Sequence, residues 1–163
     1  MKGYPLAPLG RVRQLREEAA ALEYSAREKA LQAARRETLV RRKALEDYLV
    51  WRKEEEDRRY RDILGRELSQ KDMDEFKDGV AVLREKDNVL LEAVEEARKA
   101  EEEAAGRRDE AAEALKQRRK DKEKIDSHRE IWVIGEAREA ERREDLEMEE
   151  FAKKPGQEEE DDD

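Results

Sequence analysis

Leu64-Gly65-Arg66-Glu67-Leu68-Ser69 is the stretch that decides the fold. Long tracts of helix-forming residues flank it, and only here does the pattern offer both a stop and a start. Gly65 can adopt the left-handed conformation that closes a helix. Ser69 followed by Asp72 has the spacing of an N-cap with an acidic residue reaching back to it. The rival is one uninterrupted helix, since a single internal Gly costs only about 1 kcal/mol. The stop and start signals together predict a turn over residues 65–69.

Composition supports helices on both sides. Of 163 residues, 37 are Lys or Arg and 46 are Asp or Glu, so 51% are charged and the net charge is -9. Leu, Ile, Val and Phe number only 29, too few for one compact core of this size. That argues against a globular α/β or β fold and leaves disorder or long helices. Ala, Glu, Lys, Leu and Arg make up 105 residues, and the three prolines (Pro5, Pro8 and Pro155) leave residues 9–154 free of proline. A proline-free tract of the best helix formers reads as helix. No apolar run approaches the 18 or so residues of a membrane span, and no secretory signal is expected. The absence of Cys excludes disulfides and thiolate chemistry and fits a reducing compartment.

The expected organisation is an extended lead-in over 1–10, a first helix over 11–64, the turn at 65–69, a second helix over 70–150 and a disordered acidic tail over 151–163. In the first helix the apolar stripe reads Val12, Leu15, Ala19, Leu22, Ala26, Ala33 and Val40, with Lys29 and Arg36 interrupting it. It then shifts to Ala44, Tyr48, Trp51 and Leu64. In the second helix one row repeats every seven residues: Phe76, Leu83, Leu90, Ala97, Ala104, Ala111, Arg118, Ile125 and Trp132. Its companion is Met73, Val80, Asp87, Val94, Glu101, Arg108, Leu115 and Lys122, largely polar. Seams this narrow suit one partner helix.

The fold class predicted is all-α, an elongated antiparallel two-helix coiled-coil hairpin with arms of roughly 80 and 120 Å at about 1.5 Å per residue. Facing residue numbers should sum to about 134, which sets Val40 against Val94, Trp51 against Leu83 and Leu9 against Ile125. Residues 1–64 carry 16 basic and 12 acidic side chains, and residues 65–163 carry 21 and 34. The two arms therefore attract, whereas parallel pairing of the second arm with itself is penalised.

Such a hairpin brings together the least repetitive stretches, Tyr4-Pro5-Leu6-Ala7-Pro8-Leu9 with Arg11 and Arg13, and Ile125-Asp126-Ser127-His128-Arg129-Glu130-Ile131-Trp132. A Tyr-Pro-Leu start on a long charged hairpin, with His-Arg-Glu-x-Trp late in the second helix, resembles the YscO/FliJ family of type III secretion and flagellar export proteins. The resemblance implies a non-enzymatic central stalk. It implies insertion into the ring of the secretion ATPase, contact with the cytoplasmic domain of the export gate and, for some members, binding of secretion chaperones. By that resemblance the ring contact falls to Tyr4, Pro5, Leu6, Leu9, Arg11, Arg13, Arg118, Arg119, Lys122, Ile125, His128, Ile131 and Trp132. The gate contact falls to Ile63, Leu64, Arg66 and Leu68. A cytoplasmic monomer at the base of the apparatus follows, and whether it is itself exported stays open. Pro8 and the acidic tail depart from the simplest family pattern.

The residues themselves offer little chemistry. His128 is the sole histidine, without a second His or Cys to complete a metal site. Ser25, Ser69 and Ser127 have no base arranged around them. No catalytic, cofactor or metal residue is expected. The basic run Lys116, Arg118, Arg119, Lys120, Lys122 and Lys124, with Arg11, Arg13 and Arg16, reads equally as a docking collar for acidic loops and as a solvated face. Nucleic acid is disfavoured by the acidic whole and the lack of stacking aromatics. Two further readings remain, a self-associating structural coiled coil and a chaperone-like helical hairpin.

Overall fold

The structure is a computed structural model that describes residues 2–153. It consists of two helices, α1 (Ala7–Ile63) and α2 (Gln70–Lys153). The all-α antiparallel hairpin read from the sequence is the fold found. Among the described residues no helix is long and apolar enough to cross a membrane.

The turn forms as its residues dictate. Gly65 has φ of 76°, the only positive φ among the described residues. The Arg66 N–H donates to the Ile63 carbonyl at 3.3 Å. The Asp72 N–H then donates to the Ser69 hydroxyl at 3.1 Å, and the Ser69 N–H donates back to the Asp72 carboxylate at 3.3 Å. That reciprocal pair satisfies two donors a helix start would otherwise leave unpaired.

The start of α1 differs from expectation. The helix begins at Ala7 and takes in Pro8, Leu9 and Gly10, residues assigned above to an extended lead-in. Its first helical bond runs from the Gly10 N–H to the Leu6 carbonyl at 3.0 Å. Pro8 lies inside the first turn, where a missing N–H leaves no hydrogen bond unmade. At the other end α2 extends to Lys153, into the stretch expected as tail. The remainder of that acidic tail, residues 154–163, lies outside the described residues.

The chain divides into two compact units. One, the turn unit, is Leu22–Glu113; the other, the terminal unit, joins Met1–Ala21 with Ala114–Asp163. In the turn unit Leu31 is fully buried, and Thr38, Leu83, Ala97 and Ala111 are buried with it. Among the described residues of the terminal unit, Leu115 and Ile125 are the buried ones. Every member of both α2 rows predicted from the sequence is buried or half-buried.

The α1 stripe is a correction. Val12, Leu15, Ala19, Leu22, Ala26, Ala33 and Val40 are all exposed, Val40 to 60% and Leu22 to 75%. The face turned to α2 is instead the row Gly10, Glu17, Tyr24, Leu31, Thr38, Leu45, Arg52 and Arg59. Two positions separate the rows, about 200° around a helix at 3.6 residues per turn. Charged residues on this row (Glu17, Arg52) and beside it (Glu28, Arg35) meet charged residues of α2. In the turn unit Arg52 pairs with Asp87 at 2.9 Å, Arg35 with Glu101 at 3.9 Å and Glu28 with Arg108 at 3.2 Å. In the terminal unit Glu17 pairs with Lys122 at 3.3 Å. The four charged interruptions of the α2 companion row thus each find an opposite charge on α1. Such matched charges set register even where they add little stability.

The expected register itself holds closely. Bonded pairs in the turn unit have numbers summing to between 131 (Tyr48 with Leu83) and 140 (Glu56 with Arg84). The rotation of α1 nonetheless changes the individual partners. Tyr48, not Trp51, meets Leu83, its hydroxyl donating to the Leu83 carbonyl at 2.6 Å. Gly10, not Leu9, lies against Ile125, where an added Cβ would stand 3.9 Å from the Ile125 side chain. Gly79 is a close-contact position, since its Cβ would come within 2.9 Å of the Arg59 guanidinium.

Candidate docking surface at the chain ends

All thirteen residues assigned above to a ring contact fall in the terminal unit. Their placement starts with the N-terminal turn. The Ala7 N–H donates to the Tyr4 carbonyl at 3.2 Å, which folds Tyr4 back over the start of α1. Its ring centre then lies 5.5 Å from that of Trp132 and 5.7 Å from that of His128, both tilted contacts. The Tyr4 hydroxyl and His128 Nδ1 share a 2.6 Å hydrogen bond, the hydroxyl donating in the imidazole tautomer with its proton on Nε2 and accepting in the tautomer with its proton on Nδ1. One aromatic side chain thereby ties the first residues to the late part of α2, at the separation aromatic pairs prefer.

Below this knot Ile125 is buried opposite Gly10, where an added Cβ would stand in ordinary van der Waals contact with it. Arg13 is half-buried and donates from Nη1 to the Asp121 carbonyl at 2.7 Å. It is therefore bound within the unit, not presented outward as the collar reading assumed. Glu17 stands between Lys122 at 3.3 Å and Arg119 at 3.8 Å, which neutralises another part of that collar. A cleft of about 250 Å3 remains beside the first turn of α1, with Arg11, Lys122 and Arg129 among its walls.

Around Trp132 the apolar run stays open. Trp132 is half-buried beneath Tyr4, whereas Ile131 (70%), Val133 and Ile134 are exposed. Leu6 and Leu9 are also exposed, as is Pro5. The unit thus presents aliphatic side chains around a fixed aromatic pair and a partly neutralised basic rim. Such a surface can bind a protein. Among the described residues no cluster of His, Asp and Glu could hold a metal ion.

The other predicted set lies in the turn unit. Ile63 and Leu68 are half-buried, while Leu64 and Arg66 are exposed at the turn. Sequence reasoning missed the inward roles of Arg13, Glu17 and Gly10. The seven-residue spacing of Gly10 and Glu17 with Tyr24 and Leu31 was the available signal, obscured because the row's first two members are Gly and Glu; Arg13 lies off that row.

The turn unit also holds the strongest electrostatic perturbations. Hydrogen bonds from Arg58 and Arg59 lower the Glu55 pKa from 4.5 to about 2. The hydrogen bond from Arg84, seconded by Arg52, lowers that of Glu56. Burial, with the negative charge of Asp87, raises that of Tyr48. Glu56 with Arg84, Arg52 with Asp87 and Tyr48 with the Leu83 carbonyl cross between the helices, whereas Glu55 pairs with Arg58 and Arg59 within α1.

Two solved structures share the fold. Type III secretion protein YscO from Vibrio parahaemolyticus superposes with a TM-score of 0.81 at 25% identity, over 90% of this chain and 92% of that one. A YscO homolog, CT670 from Chlamydia trachomatis, superposes with a TM-score of 0.77 at 21% identity, over 94% of each chain. No curated protein matches by sequence. Residues 6–154 match the family described as type III secretion protein YscO, a span that takes in the turn, His128 and Trp132, and the chain therefore belongs to the YscO family of type III secretion proteins.

Proposed function

We propose that this chain is the central stalk of a bacterial type III secretion ATPase complex. It links the ATPase ring to the cytoplasmic domain of the export gate and stimulates the ring without catalysis of its own. The terminal unit is the ring contact, and the turn around Ile63, Leu64, Arg66 and Leu68 is the gate contact. One observation carries the reading. Tyr4 locks the chain's first residues onto Trp132 and His128 while Ile131, Val133 and Ile134 stay uncovered. A surface assembled from both ends of the chain, with aliphatic groups held out around a rigid centre, suits a protein partner. Inside a ring of identical subunits a single asymmetric helix pair touches each subunit differently. That difference couples stalk position to subunit state.

Mixing the protein with the ATPase of its own secretion system tests this. Binding and a changed hydrolysis rate are expected. Substituting Leu6→Ala and Trp132→Ala together should weaken the contact roughly tenfold with helicity retained. No binding and no rate change would remove the reading. Sedimentation at several concentrations separates it from the self-associating alternative, which predicts mass rising with concentration.

A further inference from the structure

The stripe that failed as a seam needs its own explanation. In the turn unit Leu22, Ala26, Ala33 and Val40 recur at helical spacing on a face of α1 that α2 does not cover. Ala26, Ala33 and Val40 each lie two positions after a member of the inward row, the half-buried Tyr24 and the buried Leu31 and Thr38, hence about 200° round the helix. Beside them runs a basic row at sevenfold spacing, Lys29, Arg36 and Lys43. Neighbouring arginines are engaged elsewhere, Arg35 with Glu101 and Arg41 with Glu37. Lys43 reaches only Asp47 at 3.7 Å, and Lys29 and Arg36 form no ion pair among the described residues.

We propose that this outer face of α1, from Leu22 to Lys43, is a docking strip for an acidic amphipathic helix of another protein. The strip has the two-row pattern of a helix-pairing seam, one row apolar and the other of a single charge sign. Ala26 and Ala33 allow a second backbone to approach closely. The same two residues make the strip too shallow for a lipid surface, into which an amphipathic helix sinks large side chains. Charge specifies the partner's sign, since a facing helix must place carboxylates opposite Lys29, Arg36 and Lys43.

A second copy of this chain is a poorer occupant. The outward row of α2, Val82, Glu85, Val89 and Glu92, has matching signs. It points away from α1, so pairing it with another copy's strip gives a head-to-tail contact and not a closed two-fold dimer.

The test uses the full chain and a fluorescent 28-residue synthetic helix, with Leu at every seventh position and Glu three positions on. Saturable binding that weakens with added salt is expected. Lys29→Glu, Arg36→Glu and Lys43→Glu together should reduce it at least roughly tenfold, with helicity checked by circular dichroism. Should that variant not fold, Arg36→Gln alone should still weaken binding several-fold. Lys71→Glu with Lys77→Glu, two reversals on α2, should leave binding nearly unchanged. Equal loss in that control would overturn the proposal, as would equal binding of a peptide with Lys in place of Glu. Absence of peptide binding, binding only to phosphatidylglycerol vesicles, or mass growing with protein concentration in its place would overturn it too.

Discussion

The turn unit and the terminal unit join the same two helices by different means. In the turn unit, arginines and carboxylates cross between the helices around a thin apolar line, with Leu31 as its one fully buried side chain. In the terminal unit a tyrosine, a histidine and a tryptophan meet above Ile125. A charge ladder specifies register at every rung but adds little cohesion per rung. An aromatic contact supplies cohesion at one point and leaves nearby apolar groups available. The first arrangement suits a segment that must hold alignment; the second suits one that must also be recognised.

The contrast can be broken most severely at Leu31. With so few buried residues, Leu31→Ala should destabilise the protein by about 3 kcal/mol, read from urea unfolding. A loss under about 1 kcal/mol would mean the ladder holds the turn unit without its core.

Acid is the next challenge. The Glu55, Glu56 and Glu95 carboxyls are lowered by their arginine partners, Glu55 to about 2. A carboxyl depressed in the folded state contributes its full stability above the ordinary value of 4.5 and loses it as pH falls towards the folded value. Melting temperature should therefore drop steadily between about pH 4.5 and pH 2. An unchanged melting temperature across that interval would show that neither the Glu56–Arg84 rung nor the pairs of Glu55 and Glu95 within their own helices contribute to stability.

A single rung is a smaller test. The Arg52 and Asp87 side chains are only about one-fifth exposed. Arg52→Met leaves Asp87 half-buried without its counter-charge and should cost about 1–2 kcal/mol. Adding Asp87→Leu should recover most of that loss, because the pair matters for matching more than for net energy. A double variant as unstable as the single would contradict this.

The mildest comes from the aromatic end. Tyr4→Phe keeps the ring over Trp132 and removes only the exposed bond to His128. Unfolding should shift by less than about 0.5 kcal/mol. A larger shift would make that hydrogen bond, and not the stacked rings, the fastening of the terminal unit.

What the sequence disclosed depended on how much each helix face advertised. The two rows of α2 were legible because Leu83, Leu90, Ala97, Ala111 and Ile125 repeat without a competing stripe. The turn was legible because Gly65, Ser69 and Asp72 each have one local physical job. In α1 two stripes coexist, and periodicity favours the more apolar one, from Val12 to Val40. The true seam runs through Gly10, Glu17, Thr38, Arg52 and Arg59, whose fitness depends on partners far away in the chain. No count within α1 alone could reveal that Arg52 answers Asp87 or Glu17 answers Lys122. The terminal residues were named correctly as neighbours of one another, but the inward direction of Arg13 required coordinates.

Two of the bonds between the helices ignore side-chain identity on α2. Arg13 and Tyr48 both donate to main-chain carbonyls, those of Asp121 and Leu83. A carbonyl has a second lone pair beyond its helical bond, and every residue supplies one. Evolution can therefore rewrite positions 121 and 83 without loosening these two fastenings. Grips on the main chain offer one route by which relatives differing at three-quarters or more of their positions retain the same helix pair.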